Sequence, residues 1–151
     1  MDDMDKQILK IMQEGGYCVP QSVSIGRKLG IPPSTVRERI GRMQKDGTVK
    51  KMVPLVDPAK IGLPILTYMR IRLRANADAE TVVKELLKNP EVEEAYWMIG
   101  TWGILLKIRT QDNDAYYELS AKKFAKVEGV AQTEGIRIAK VYKEDVKHSY
   151  S

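Results

Sequence analysis

The spacing of apolar residues changes near residue 60, and this change constrains the fold of the chain more than any other feature. Before it, apolar residues recur at helical spacing in three short stretches; after it, strand and helix patterns alternate. A chain of 151 residues holds one ordinary domain or two very small ones. We therefore predict a first module at 1–50, a linker strand at 51–62 and a second module at 63–151.

The first module reads as three short helices. Residues 1–14 are predicted to form the first, because Asp2 can cap its N-terminus and Asp5 follows three positions later. Residues 22–29 form the second, and the third begins at Pro33, since proline is tolerated in a first helical turn. Three short helices with a tight turn between the last two make a helix-turn-helix.

Helical spacing also predicts which side chains face inward. Val23, Ile25 and Leu29 are expected to face the first helix. Arg39 falls on the inward side of the third helix, where a buried unpaired charge costs roughly several kcal/mol. We therefore expect a structural salt bridge from Arg39 to Asp5, with a DNA contact as the alternative.

Basic residues are concentrated in the N-terminal module. Residues 1–62 carry 11 Lys and Arg against 7 acids, whereas the remainder carries 14 against 13. Eight basic residues and two acids lie within residues 27–51 alone. Such a concentration on a helix-turn-helix indicates a polyanion, here double-stranded DNA.

The outward face of the third helix is the predicted DNA-reading surface. The fork of Arg37 suits a bidentate contact with guanine, and a merely solvated face is the less favoured alternative for Arg37 and Arg42. Glu38 is more simply explained as an i,i+4 partner of Arg42 than as an acceptor from cytosine. Lys50 and Lys51 suit phosphates. The predicted DNA-binding residues are Ser22, Pro33, Ser34, Arg37, Glu38, Arg42, Lys45, Lys50 and Lys51.

The second module repeats the order strand, helix, strand. Its helices are predicted to begin after the N-cap Asp78 and at about Asn113. The predicted strands are 65–74, 92–99, 104–110 and 130–142. The predicted inward residues of the later helix are Tyr117, Ala121, Phe124 and Val127. The fold class is therefore α+β: a winged-helix-like helix-turn-helix domain joined by a β-linker to a ferredoxin-like βαββαβ domain.

The second predicted strand indicates a homodimer. Helices of a ferredoxin-like fold cover one face of the sheet, yet both faces of this strand are apolar or aromatic: Ala95, Trp97 and Ile99 on one side, Tyr96 and Met98 on the other. The uncovered face needs a partner, and a second copy of the same sheet provides one. We therefore expect a homodimer with face-to-face sheets.

Six short motifs follow one another over nearly the whole chain. They are Asp2-x-x-Asp5-x-x-Ile8-Leu9, Gly30 to Ile40, Asp46 to Lys51, Asp57-Pro58-x-x-Ile61-Gly62, the Gly100 loop, and Val127 to Val130 with Thr133. Together they resemble the leucine-responsive regulatory protein/AsnC family of transcription regulators. The resemblance implies sequence-specific DNA binding, a dimer that can assemble into an octamer, and an amino acid or related small metabolite bound in the second module between dimers.

The Gly100 loop is where this chain departs from the family pattern. The family's acidic loop position is Gly103 here, and Trp102 replaces a smaller aromatic residue. Glycine backbone N–H groups can approach a ligand carboxylate, so we expect a small carboxylate ligand that depends less on its amino group, unless another acid such as Glu134 replaces the missing one. The alternative is an ordinary hairpin. The predicted ligand-binding residues are Gly100, Thr101, Trp102, Gly103, Thr133 and Glu134.

Several other classes of protein are excluded or disfavoured. Cys18 and His148 are the only Cys and His, too few for a zinc site or a Cys/His dyad within one chain. We predict no catalytic residue, no metal and no cofactor, because no nucleophile with a base and no phosphate-binding glycine loop occurs. No apolar run reaches the roughly 20 residues of a membrane span, and the acidic N-terminus is unlike a secretion signal. A cytoplasmic location is expected.

Two competing functions remain on the sequence alone. An architectural, DNA-compacting protein would use the same helix-turn-helix with little sequence preference and no ligand response. RNA binding through the sheet is weaker, because the strand around Lys107 and Arg109 lacks the aromatic residues on which bases stack.

Overall fold

The computed structural model describes residues 2–14 and 18–144, which divide into two compact units between Asp57 and Pro58. His148 lies outside the described residues. The first unit contains α1 (Asp3–Glu14), α2 (Ser22–Leu29) and α3 (Pro33–Lys45). The second contains β1 (Ile65–Leu73), α4 (Ala79–Leu86), β2 (Val92–Trp97), β3 (Ile104–Thr110), α5 (Asn113–Tyr117) and β4 (Val130–Arg137). Within the described residues, every helix is too short or too polar to cross a bilayer.

The N-terminus of α1 carries the predicted cap. The Asp5 N–H donates to Asp2 Oδ1 at 2.8 Å, and the Asp2 N–H donates to Asp5 Oδ2 at 3.0 Å. This reciprocal arrangement satisfies two backbone donors that the helix itself leaves without acceptors. The prediction of Asp2 as N-cap is confirmed.

The buried face of α2 differs from the predicted one. Ser22 and Gly26 are buried, whereas Val23 and Leu29 are 60% and 65% exposed, so the expectation that both face inward is wrong. The reason is a close approach between backbones: a Cβ on Gly26 would lie 2.6 Å from the carbonyl oxygen of Ile31. Small residues therefore form the inner face of α2.

Arg39 also differs from expectation. Its side chain is exposed, and no ion pair joins it to Asp5 in the described part of the chain. The inward stripe of α3 is narrower than predicted: Val36 is buried and Ile40 and Met43 are half-buried, while Arg39 flanks them and extends into solvent. The expected salt bridge is therefore wrong, and Arg39 adds to the exposed positive charge of α3.

The segment from Lys51 to Asp57 alternates exposed and half-buried side chains, as a strand does, but the structure assigns no strand there. A strand needs a neighbouring strand to accept and donate its backbone hydrogen bonds. The linker strand at 51–62 therefore stays a prediction that requires a partner strand.

The second unit has the predicted ferredoxin-like order. Its four strands form one antiparallel sheet in the order β2-β3-β1-β4. β1 lies at the centre, with Arg70 opposite Leu105 of β3 and Glu134 of β4. The ladder of β4 ends at Arg137, which pairs with Thr67 of β1, and so β4 is shorter than predicted.

One face of the sheet forms the core with the helical segments. Both N-caps of this unit use aspartate: Asp78 accepts from the Thr81 N–H at 3.0 Å, and Asp112 accepts from the Ala115 N–H at 2.7 Å. The buried core residues are Met69, Ile71, Val82, Leu86, Ile104, Leu106, Ile108, Leu119, Phe124 and Val130.

The later helix packs with a different face than predicted. After α5 the chain makes a π-helical turn, Glu118–Lys123, and a short 3₁₀ turn. A π turn bonds residues five apart, so Leu119 and Phe124 both reach the core. Tyr117 and Ala121 are exposed, and the prediction that they face inward is wrong, while that of Phe124 is confirmed.

Candidate DNA-binding and effector sites

The structure exposes most of the predicted DNA-binding residues on and after α3. Pro33 is half-buried at the helix start. Ser22 is only 8% exposed, so this residue has little surface to offer to DNA. The exposed members of the predicted set are Ser34, Arg37, Glu38, Arg42, Lys45, Lys50 and Lys51.

A cleft of about 650 Å³ brings Arg37 together with Lys50 and Lys51. These residues are far apart in sequence, and they meet because the chain folds back after α3: the Val49 N–H donates to the Met43 carbonyl at 2.8 Å. Three cations and one acid, Glu14, therefore line one concave surface of the first unit, so that positive charge is in excess there. Such a surface suits an anionic ligand such as the sugar-phosphate backbone of DNA.

The one acid of the turn after α3 is used to build that turn. Asp46 Oδ1 accepts from the Thr48 N–H at 2.9 Å. Hydrogen bonds from the side chain and backbone of Thr48 lower the pKa of Asp46. The carboxylate is thus held by its own loop, and the loop directs the following lysines toward the cleft.

In the second unit, the loop between β2 and β3 has a backbone that requires glycine. The Met98 N–H donates to the Gly103 carbonyl at 2.5 Å and closes the loop. Gly103 has φ 65°, and a Cβ there would lie 3.3 Å from the Trp97 ring. Gly103 therefore suits the left-handed backbone, in which a side chain would be strained, and a Cβ would also require a small shift of the largely exposed Trp97 ring.

Two of the predicted ligand residues, Trp102 and Glu134, meet through Arg70. Arg70 Nε and Nη2 donate to Glu134 Oε2 at 2.9 and 2.7 Å, and its guanidinium carbon lies 4.5 Å from the centroid of the Trp102 ring. Sequence reasoning missed Arg70 as a site residue. The available signal was the strand alternation, which places it opposite the core residues Met69 and Ile71.

The remaining predicted ligand residues are not gathered around this arginine. Thr133 is paired with Ile71 and adjoins Glu134, so its side chain points to the opposite, helix-covered face of the sheet. Thr101 is exposed at the loop tip. The six-residue ligand set therefore stays a prediction, of which Trp102 and Glu134 share a face.

The open face of the sheet carries a second cluster of charges, around Lys107 and Arg109. Lys107 Nζ lies 2.7 Å from Glu144 Oε1 and 3.4 Å from carboxylate oxygens of Glu93 and Glu94. Arg109 Nη2 lies 2.6 Å from Glu144 Oε2. Burial opposes the charge of Lys107, but the hydrogen bond to Glu144 and the nearby carboxylates raise its pKa above the ordinary value. In the described residues no group of His, Cys, Asp and Glu suits a metal ion.

The centre of the open face is charged, because Lys107 and Arg109 alternate with the core residues of β3. The apolar pattern of the sequence made no prediction for these two residues. Exposed apolar side chains lie along the edge strand β2 and just beyond it, the segment in which the sequence pattern placed them. They are Tyr96, Trp97 and Ile99.

Comparison with known proteins identifies relatives for both units. Residues 1–44 match the AsnC-type helix-turn-helix domain, and residues 66–147 match the Lrp/AsnC ligand binding domain. The chain is 33% identical, over 95% of its length and 93% of the relative, to the HTH-type transcriptional regulator FL11 of Pyrococcus furiosus.

Solved structures share the fold. The transcriptional regulator NMB0573 of Neisseria meningitidis, in complex with L-Met, has a TM-score of 0.79 at 22% identity, covering 99% of this chain and 96% of that one. The feast or famine regulatory protein Rv3291c of M. tuberculosis, complexed with L-methionine, has a TM-score of 0.77 at 20% identity, covering 97% of each chain.

Proposed function

The chain belongs to the Lrp/AsnC family of DNA-binding transcription regulators, and from this premise we propose that Arg37 reads an operator base while Lys50 and Lys51 hold phosphates. The observation that carries the proposal is the convergence of these three cations around one cleft beside α3. Arg37 lies in the N-terminal part of α3, the part that a helix-turn-helix inserts into the major groove.

The two roles differ in what they give to binding. A planar guanidinium pairs bidentately with guanine, which discriminates between base pairs, whereas a lysine ammonium on a flexible stem interacts with any phosphate. Arg37→Ala should therefore weaken binding to the operator by about 1–3 kcal/mol and relax the preference at one base pair. Lys51→Ala should weaken binding to all sequences about equally and reduce the salt dependence of binding.

The test begins with selection of the preferred site from random DNA by the intact protein. Fluorescence anisotropy then measures the affinity of each variant for that site and for a scrambled sequence. Lys84→Ala is the matched control, because this substitution removes the same charge from an exposed lysine of α4 in the second unit. Equal losses of Arg37→Ala on operator and scrambled DNA would contradict the base-reading role.

The same titrations separate regulation from DNA compaction. A specific regulator binds its operator typically 10³–10⁷ times more tightly than random DNA. An architectural protein, the alternative function, would show nearly equal affinities and would yield no preferred site in the selection.

The second module is proposed to bind an amino acid or related small carboxylate that alters DNA binding. Support comes from the match to a ligand-binding domain and from two structural neighbours whose complexes hold L-Met and L-methionine. Thermal unfolding of the intact protein with each of the common amino acids tests this directly. Absence of a shift with every compound would favour a ligand-independent regulator.

We further propose that the protein forms a homodimer, that the dimers assemble to an octamer, and that it acts on DNA in the cytoplasm. Tyr96 on the open face, Trp97 on the opposite face and Ile99 just beyond the strand are all exposed, and exposed apolar side chains along an edge strand support an interface that includes β2. Sedimentation velocity of the intact protein tests the assembly. Ile99→Glu should weaken it, whereas Leu87→Glu, at an exposed position at the end of α4, is the matched control. A monomeric wild-type protein at micromolar concentration would contradict it.

A further inference from the structure

The chain that follows β4 forms the C-terminal strap, residues 138–144, on the open face of the sheet. At its start the Ile138 N–H donates to the Leu66 carbonyl of β1 at 3.0 Å. At its other end Glu144 accepts hydrogen bonds from Arg109 Nη2 of β3 at 2.6 and 2.7 Å. Because β1 separates β4 from β3 in the sheet, the strap crosses β1.

The strap divides the open face into a covered part and an uncovered part. Leu66 is only 6% exposed, although it lies on the side of β1 opposite the core residues. Arg109 stands across the β1–β3 ladder from Leu66, and both Arg109 and its neighbour Lys107 are buried. Tyr96 and Ile136, on the same face, are exposed. The buried side chains of this face thus lie where the strap crosses it.

A single side chain holds the far end of the strap. Within the described residues, the backbone of the strap has no hydrogen bond to the sheet beyond Ile138. Both cations that bind Glu144 have a second acid nearby: Glu93 lies 3.2 Å from Arg109 Nε and 3.4 Å from Lys107 Nζ. Opening of the strap therefore leaves no buried charge unpaired, and it breaks an ion pair that is partly exposed to solvent.

The strap lies in the layer that a second sheet would occupy. Its carboxylate contacts the tips of two long side chains that stand on β3, so the strap lies about a side-chain length above the sheet. Two sheets that pack face to face are separated by about 10 Å. A second copy of the sheet therefore cannot cover this part of the face while the strap is closed.

We propose that the C-terminal strap is an autoinhibitory cover, which competes with a second copy of the chain for the open face of the sheet. Opening adds Leu66 to the exposed apolar side chains Tyr96 and Ile136, and burial of all three favours association. Both copies must open, so the affinity of association depends on the fraction of chains whose strap is open. This inference rests on the proposed homodimer.

The first measurement is the rate at which limiting trypsin cleaves the strap of the intact protein after Lys140, followed by mass spectrometry. A protease needs the segment released from the sheet. Glu144→Gln and Glu144→Ala should each speed this cleavage about threefold, the scale of a partly exposed ion pair. Glu118→Gln is the matched control, because Glu118 forms an ion pair with Lys122 on the helical segment that follows α5.

The second measurement is association of the same variants by sedimentation velocity, at the urea concentration that half dissociates the wild type. Since both copies must open, a threefold larger open fraction should lower the dissociation constant about ninefold. Adding Ile136→Glu to Glu144→Gln should remove this gain and leave the faster cleavage, because it places a charge on the uncovered part of the face. Glu118→Gln should change neither measurement.

The outcomes separate the strap from the homodimer on which it rests. Faster cleavage of Glu144→Gln with unchanged or weaker association would overturn the competition and leave the homodimer standing. Unchanged cleavage in both Glu144 variants would overturn the role of Glu144, and a wild type that stays assembled until it unfolds would overturn the inhibition. If the wild type and Glu144→Gln are both monomeric at micromolar concentration, the strap's role and the homodimer are both overturned.

Discussion

Gly26 and Gly41 are both helical glycines of the DNA-binding unit, yet alanine should have opposite effects at the two positions. A Cβ at Gly41 on α3 meets nothing within 4 Å. A Cβ at Gly26 on α2 would lie 2.6 Å from the Ile31 carbonyl oxygen and 3.4 Å from the Pro33 nitrogen. Gly26→Ala therefore forces apart the turn that joins the two helices, whereas Gly41→Ala only removes conformational freedom from the unfolded chain.

The magnitudes follow from these distances. Gly41→Ala should stabilise the unit by about 0.5–1 kcal/mol, the usual gain for a helical position. At Gly26, ordinary contact at 3.4 Å requires a movement of about 0.8 Å, and such overpacking costs about 1–3 kcal/mol. The same movement stretches the Ile31 N–H hydrogen bond to the Gly26 carbonyl, which is 3.0 Å long. Alanine also gains the usual stability of a helical position over glycine, so we expect the free energy of unfolding to fall by about 1–2 kcal/mol in total.

Urea unfolding of the intact protein measures both effects. Far-UV circular dichroism follows all helices, whereas the only two tryptophans, Trp97 and Trp102, report on the second unit alone. Gly26→Ala should lower the midpoint of the dichroism change and leave the emission transition unchanged. Gly26→Ala should also lower the affinity for the operator, because α3 is no longer held at the same angle to α2. Equal or greater stability of Gly26→Ala compared with Gly41→Ala would refute the reasoning.

Three further predictions concern the second unit. Hydrogen bonds, chiefly from Lys107, hold the pKa of Glu144 below its ordinary value, so the stability of the unit should fall as pH drops through that pKa. Glu144→Gln should lower the free energy of unfolding by about 0.5–1 kcal/mol near neutral pH, a small effect because Glu144 is 37% exposed and solvent screens its charge. The variant should also lose less stability than the wild type at acidic pH, as measured by denaturation at a series of pH values. Gly135→Ala should lower the emission midpoint, because its Cβ would lie 1.9 Å from the Tyr116 hydroxyl, and Tyr116→Phe in the same chain should restore part of the loss. Phe124→Ala should cost about 3–5 kcal/mol by urea unfolding, because the ring is fully buried; a loss below 1 kcal/mol would contradict its place in the core.

The elements of the fold were predictable because each has a local cause. The reciprocal cap of Asp2 and Asp5, the N-cap Asp78 and the alternation along β1 involve residues within a few positions of one another. Their energies are decided before the chain meets its tertiary neighbours. The π-helical turn at Glu118–Lys123 has no comparable local signal, and it rotated the inner face away from Tyr117.

The candidate sites were only partly predictable, because contacts across strands depend on register. Alternation indicates that Arg70 lies opposite the core, but only the β1–β4 pairing places it against Glu134. Likewise, the basic residues of the first unit were evident from composition, whereas the convergence of Arg37 with Lys50 and Lys51 depends on the chain folding back after α3. Sequence thus indicates which charges exist and which face they occupy, and the register decides their partners.

The glycines show the same difference between what the sequence indicates and what the folded neighbours decide. Glycine within a helix, as at Gly26, costs helix stability, and the family resemblance implies an acid at the position of Gly103. In the structure each missing side chain makes room for one particular neighbour: the Ile31 carbonyl at Gly26, the Trp97 ring at Gly103 and the Tyr116 hydroxyl at Gly135. A left-handed φ explains Gly103 in part, but Gly26 and Gly135 have no such requirement. Their reason is a contact with a residue elsewhere in the chain, which only the folded neighbours reveal.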